Sequence, residues 1–347
     1  MEDSRDQPQE SFMKNSIFIL TLCLSAYSFG ASFSVDHRIP LSGSDGWDYL
    51  AVDTASDRLF VTRGNHVDVL DLKTEKVVGT ISQAIDGAHG VAFAAALKKG
   101  YITSGKSEKV VVFDLASLKV IKEIPAGKKA DAIVFDELTA RVFAFNGEDA
   151  TVTVIDAKTD VVLKTIKLEG KPEFAVANQG LVYFNNEDKN SVLVIDAKEM
   201  QVKFNWALQD CQSPTGLAAD FLNKRLFSVC KNEIMAVTDI ESGKNIKNVK
   251  IGKSPDATVF DDGLVFSSNG EGTVSVIQEK TLTEFAPFQT VKTQKGARTM
   301  AVDPKTHNAY LIAAQYEAVD PKASAKNPKT RPKIVPGTVE LLVIKKH

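Results

Sequence analysis

The chain repeats itself every 41 or 42 residues, and that period limits its fold more than any other feature. Aligned on the end of one short apolar run, seven copies read LAVD at Asp53, VAFA at Ala94, IVFD at Asp136, AVAN at Asn178, LAAD at Asp220, TVFD at Asp261 and MAVD at Asp303, in steps of 41, 42, 42, 42, 41 and 42. So regular a period over seven copies belongs to a closed or stacked array and not to separate domains.

Each copy reads as four short strands joined by polar turns. In the third they run from Ala132 to Phe135, Val142 to Phe145, Thr151 to Ile155 and Val161 to Ile166, and Asn146-Gly147 is expected to supply the positive φ of the second turn. Every second strand carries an aromatic, at Phe60, Tyr101, Phe143, Tyr183, Phe227, Phe266 and Tyr310, which predicts wedges between sheets. Third strands end at Asp71, Asp114, Asp156, Asp196 and Asp239, with Gln278 and Lys345 in the last two copies. Placed just before a turn, these aspartates read as turn caps and not as a catalytic series.

Four strands per unit and seven units predict an all-β, seven-bladed β-propeller with four-stranded antiparallel blades. The last unit ends after its third strand, Gly337 to Ile344, while Phe33 to Leu41 stands ahead of the first unit. That N-terminal segment is expected to complete blade seven as its outermost strand, leaving no open seam. One propeller over residues 31–347 follows, with an insertion at 316–336.

Phe60-Val61-Thr62-Arg63, Phe143-Ala144-Phe145-Asn146 and Phe266-Ser267-Ser268-Asn269, each followed by a strand of V-x-V-[ILT] type, resemble the repeat of the YVTN-repeat, YncE-like propellers of bacterial envelopes. The resemblance spans residues 33–347. It implies the fold and a place in the envelope, and it assigns no reaction. Trp47-Asp48 lies ahead of a first strand, away from the third-strand end that would suggest a WD40 repeat.

The formal net charge is -2, and Glu2, Asp3, Asp6 and Glu10 set against Arg5 and Lys14 account for it, so the remainder is neutral. A neutral body lacks the general attraction for a phosphate backbone, which makes nucleic acid a poor partner. Met13-Lys14-Asn15, the apolar run from Ile17 to Leu24 and small residues at Ser28 and Gly30 read as a signal peptide over residues 1–30, with Met13 the expected start of translation. The run is too short for a membrane span of about 20 residues. A periplasmic or secreted monomer with no membrane span in its mature form is expected.

No G-x-S-x-G, H-E-x-x-H, P-loop or C-x-x-C occurs, and Gly270-Glu271-Gly272 lacks the third glycine of a dinucleotide fingerprint. Any site must therefore be assembled by the ring. Five residues before each first-strand marker stand Asp48, His89, Asp131, Glu173, Thr215, Asp256 and Arg298, which symmetry places at the mouth of the central channel. Carboxylates crowded there raise one another's pKa unless a cation compensates. Arg298 is one candidate, and a divalent cation such as Ca²⁺ held by Asp48, Asp131, Glu173 and Asp256 is another. The alternative is that these side chains lie too far apart to share an ion and line a water-filled channel.

Second-to-third-strand loops, among them Asn185-Asn186-Glu187, Lys231-Asn232 and Asn269-Gly270-Glu271, are expected on the same face. So is the insertion with Lys322, Lys326, Lys329, Arg331 and Lys333, a lid or a solvated loop. Cys211 and Cys230 lie at one end of adjacent strands and predict a disulfide, with two free thiols as the alternative. The resulting expectation is a non-enzymatic envelope propeller, requiring no cofactor, that binds a partner protein, small polar ligand or ion at its loop face and channel mouth. The alternative is a metal-dependent, lactonase-like hydrolase using the channel carboxylates, with His89 or an acid as general base.

Overall fold

The computed structural model describes residues 32–318 and 332–347. They form seven four-stranded antiparallel sheets. Blades 1 to 6 cover residues 47–81, 88–125, 130–167, 172–207, 214–250 and 255–292. Each is a meander in chain order. Blade 7 takes Met300–Asp303, Asn308–Ala313 and Glu340–Lys346 from the end of the chain, and Phe33–Pro40 from its beginning as the outer strand. Phe33 lies opposite Lys346 and Pro40 opposite Glu340. First strands of successive blades are neighbours, and Trp47–Asp53 touches Met300–Asp303, so the ring is closed by its first and last inner strands as well as by its outer one.

The core lies between blades. One cluster joins Phe143, Phe145 and Val154 of blade 3 to Val182, Phe184 and Ile195 of blade 4. The seven second-strand aromatics are at most 3% exposed, as wedges between sheets should be. Tyr101 adds a polar anchor: its hydroxyl donates to Asp160 Oδ1 at 2.9 Å, fastening blade 2 to a turn of blade 3.

The third-strand aspartates do cap turns. Asp156 Oδ1 accepts from the amides of Lys158 and Thr159, both at 2.8 Å, and Asp71, Asp114, Asp196 and Asp239 repeat the arrangement. The turn chemistry at Asn146-Gly147 differs from expectation. The positive φ falls at Ala150 (49°), the last residue of a four-residue turn, while the Asn146 side chain reaches back to the hydroxyls of Thr151 and Thr153. Longer hairpin loops close on a left-handed residue in this way, where two-residue loops need one at once.

The signal-peptide reading of residues 1–30, and Lys322, Lys326, Lys329 and Arg331 of the insertion, lie outside the described residues. The base of the insertion is a short antiparallel ribbon: Glu317 N–H donates to Lys333 O, Val335 N–H to Gln315 O, and Tyr316 faces Ile334. Among the described residues no helix is long and apolar enough to cross a membrane.

Cys211 and Cys230 form a disulfide across a Cα–Cα distance of 5.4 Å, both buried. Cys230 ends the second strand of blade 5 opposite Pro214, and the bridge ties in the loop that brings the chain from blade 4. In the loop-entropy view a bridge over this span contributes about 3 kcal/mol. Cys211→Ser should therefore lower the unfolding free energy measured in denaturant melts by a comparable amount, and neither thiol should react with a thiol reagent in unreduced native protein.

Candidate functional site

Each channel-mouth side chain of blades 1 to 6 is aimed by a β-bulge. In blade 3, Ala130 pairs with Asn146 and Ile133 with Ala144, so Asp131 and Ala132 together face Phe145 alone. Asp48 and Tyr49 likewise share Thr62, and His89 and Gly90 share Thr103. Glu173, Thr215 and Asp256 sit at the same break in pairing. Regular alternation would send successive side chains to opposite faces, and the extra residue of a bulge relaxes that rule. These positions therefore lie inside the inner strands, not ahead of them; only Arg298 precedes its strand.

Six of the seven residues divide into three groups. Asp48, His89 and Asp131 converge, one ligand atom of each lying within 4.8 Å of the others. His89 Nδ1 is 2.5 Å from Asp48 Oδ2 and 3.6 Å from Asp131 Oδ1. Lys129 Nζ approaches the other Asp131 oxygen at 3.6 Å. Glu173 belongs to a second group, in which Lys171 donates to both Glu173 and Glu187, and Lys231 donates to Glu187. Asp256 pairs with Arg298, whose Nε lies 2.9 Å from Oδ2. Thr215 joins none of them. It is buried, with its hydroxyl directed at the backbone carbonyls of Val229 and Pro255. Of the four carboxylates expected to share one cation, Asp48 and Asp131 come together with His89, and Glu173 and Asp256 stand with cations of their own.

The His89 ring is held by what lies behind it. A Cβ on Gly105 would stand 2.8 Å from Cδ2 and Nε2, so that edge of the imidazole rests against bare backbone and Nδ1 is left facing the two aspartates.

Burial shapes the electrostatics. Desolvation raises the Asp131 carboxyl above its ordinary value and Asp48 raises it further, against the pull of His89 and Lys129. Burial opposes charge on His89, but its hydrogen bond to Asp48 and the charges of Asp131 and Asp48 outweigh that and raise its pKa. Burial carries Asp256 up to about 6 in spite of Arg298. Glu173 rises to about 8 by burial, with Asp131 and Glu187 adding to it against Lys171. Glu187 falls to about 2 because hydrogen bonds from Lys171, Lys231 and Glu173 overcome its own burial. At neutral pH the pair Glu173 and Glu187 thus carries one proton and one negative charge.

Two features were not legible from the repeat. The residue after the ring position supplies an aromatic plug: Tyr49 of blade 1 meets Phe174 of blade 4, ring centroids 4.8 Å apart. The Tyr49 phenol is pushed well above its ordinary pKa by burial and by the surrounding carboxylates of Asp131, Glu173, Asp48 and Asp256. Lys129 and Lys171, each two residues ahead of a ring position, bring compensating charge; that shared offset was the available signal. A groove of about 1260 Å³ also opens beside the mouth, away from the Asp48, His89 and Asp131 group, between Trp47, Gly270, Lys295, Arg298, Tyr316 and Lys333.

Solved structures share this architecture. A structure of U3-55K matches with a TM-score of 0.73 at 9% identity, covering 88% of this chain and 97% of that one. The RRP9 WD40 repeats match at 0.73 and 8%, covering 89% and 97%. Hydrazine synthase from Kuenenia stuttgartiensis matches at 0.66 and 15%, covering 78% and 94%. At these identities the likeness is one of fold. No protein-family model and no curated protein matches the sequence.

The protonation of Glu173 has a consequence for stability. Its folded pKa, about 8, lies above its ordinary 4.5, and that of Asp256, about 6, above 3.8. The fold binds these protons more tightly than the unfolded chain, so their contribution is complete below about pH 4 and is lost as pH rises towards about 8. Glu173→Gln, which mimics the protonated acid, should flatten the loss of stability between about pH 6 and about pH 8 in urea melts. An unchanged slope would contradict the assignment.

Proposed function

We propose that this protein is a non-enzymatic binding propeller of the YVTN-repeat, YncE-like kind, a monomer acting in the periplasm or outside the cell, that takes a small polar ligand or an ion at its channel mouth. The observation that carries this reading is the mouth itself. Five carboxylates, those of Asp48, Asp131, Glu173, Glu187 and Asp256, stand there with His89, Lys129, Lys171, Lys231 and Arg298 above the aromatic contact of Tyr49 and Phe174. Charge held out of water is costly to a fold, and strongly shifted groups gathered in a cleft with their charge partners are candidates for a functional site. The hydrophobic clusters between blades already account for ring cohesion, so this charge is not needed to close it.

Location outside the cytoplasm is supported by the buried disulfide, a bond that persists in oxidising compartments, and by the signal-like N-terminal residues. An envelope protein docking on the loop face fits the same reading.

A second reading, a metal-dependent lactonase-like hydrolase, is favoured by one observation, the placement of His89 between Asp48 and Asp131. One experiment separates the two. The protein is screened against lactones and esters with divalent cations supplied, and in parallel by thermal shift against cations, amines and amino acids. Binding without turnover is expected, with the thermal shift lost in Asp131→Asn. Turnover abolished by Asp131→Asn would establish the hydrolase instead.

A further inference from the structure

We infer that Asp48, His89 and Asp131 form a site for a divalent transition-metal cation of the zinc, cobalt or manganese class, and that the calcium class is not its ligand. The inference rests on the binding reading of the channel mouth and specifies its occupant.

Donor chemistry comes first. The group offers one imidazole nitrogen and two carboxylates, all within 4.8 Å. Cations of the zinc class accept nitrogen and carboxylate oxygen together at about 2.0–2.2 Å, which places neighbouring donors roughly 3 Å apart. The 2.5 Å and 3.6 Å separations at His89 Nδ1 bracket that spacing, so small side-chain rotations suffice. Calcium takes six to eight oxygens, and magnesium a near-ideal octahedron of them. Three donors, one of them nitrogen, suit neither. Glu173 and Asp256, which would add oxygens, are engaged by Lys171 and Arg298.

Preorganisation comes second. Gly105 leaves the space behind the imidazole that turns Nδ1 towards the aspartates, and Lys129 steadies the second oxygen of Asp131. Three bulges on consecutive blades aim the three ligands, so the site sits on rigid strands rather than on loops.

An independent observation is Tyr49. It is 7% exposed, its phenol lies among the carboxylates of Asp131, Glu173, Asp48 and Asp256, and its hydroxyl makes no hydrogen bond among the described residues. The hydroxyl is not shut away from solvent, so its partner is a water or a ligand held at the mouth. Water completing the coordination of a three-ligand metal would supply that partner.

The test uses full-length, tag-free protein stripped by chelator, titrated calorimetrically with Zn²⁺, Co²⁺, Mn²⁺ and Ca²⁺. One equivalent of Zn²⁺ or Co²⁺ should bind, Co²⁺ should develop the visible d–d bands of mixed nitrogen and oxygen ligation, and Ca²⁺ should bind at least about tenfold more weakly. His89→Gln and Asp131→Asn should each weaken Zn²⁺ by about 100-fold, on the scale of losing a ligand or its support. The Co²⁺ spectrum of the wild type needs no variant and decides the matter should either substitution fail to fold. No stoichiometric transition metal, a preference for Ca²⁺, or unchanged Zn²⁺ affinity in a folded His89→Gln overturns the inference. Amines or amino acids binding at the mouth while every metal fails would overturn it and leave the binding reading intact.

Discussion

The structure depends on hydrogen bonds made where the inner strands bulge. A bulge frees backbone groups from the ladder, and buried ones must find partners elsewhere. Here the neighbouring blade provides them. The Thr103 hydroxyl of blade 2 donates to Asp131 O of blade 3 at 2.5 Å, and Asn185 Nδ2 of blade 4 donates to Thr215 O and Gly216 O of blade 5, both at 2.9 Å. Thr215 of blade 5 reaches Pro255 O of blade 6, and Ser268 of blade 6 reaches Arg298 O of blade 7. One set of contacts thus satisfies the bulges, fixes the spacing of adjacent blades and sets the direction of the channel-mouth side chains. Losing one would strand a buried carbonyl at a cost of about 1–3 kcal/mol.

Close approach is the second part of that constraint. A Cβ on Gly216 would stand 2.5 Å from Asp256 O, so blades 5 and 6 meet at a separation that only glycine allows. Tight blade contact is also what concentrates charge. With Tyr49 and Phe174 in contact beneath the ring, the carboxylates of the mouth lie on an apolar floor, and their interactions are stronger than on open surface. The response is division of labour. Lys171 and Lys231 hold Glu187 ionised while Glu173 keeps its proton, Arg298 serves Asp256, and His89 stands between Asp48 and Asp131.

How much of this was legible in the sequence follows from how each feature is encoded. The Asp156 turn, the Phe143 wedge and the Cys211–Cys230 bridge are local or depend on adjacent strands, and the repeat showed them directly. Asp131 stands out because its position varies from copy to copy against a constant background. Tyr49 is hidden in the sequence because alternation places the neighbour of a channel-facing residue on the other face, and the bulge that reverses this leaves no mark in the pattern. Thr215 shares the ring position by symmetry, yet a short hydroxyl satisfies backbone more readily than it reaches an axis.

By itself the sequence determined the seven blades, their strand order and the closure of the ring by the N-terminal strand, because period, β-branched runs and turn residues act within one blade or between its neighbours. Which ionisable groups meet was decided only by tertiary structure. Asp48, His89 and Asp131 lie 41 and 42 residues apart in the chain, and Tyr49 and Phe174 lie 125 apart. Their separations depend on the angle between blades and the local geometry of each bulge, which no one-dimensional pattern specifies.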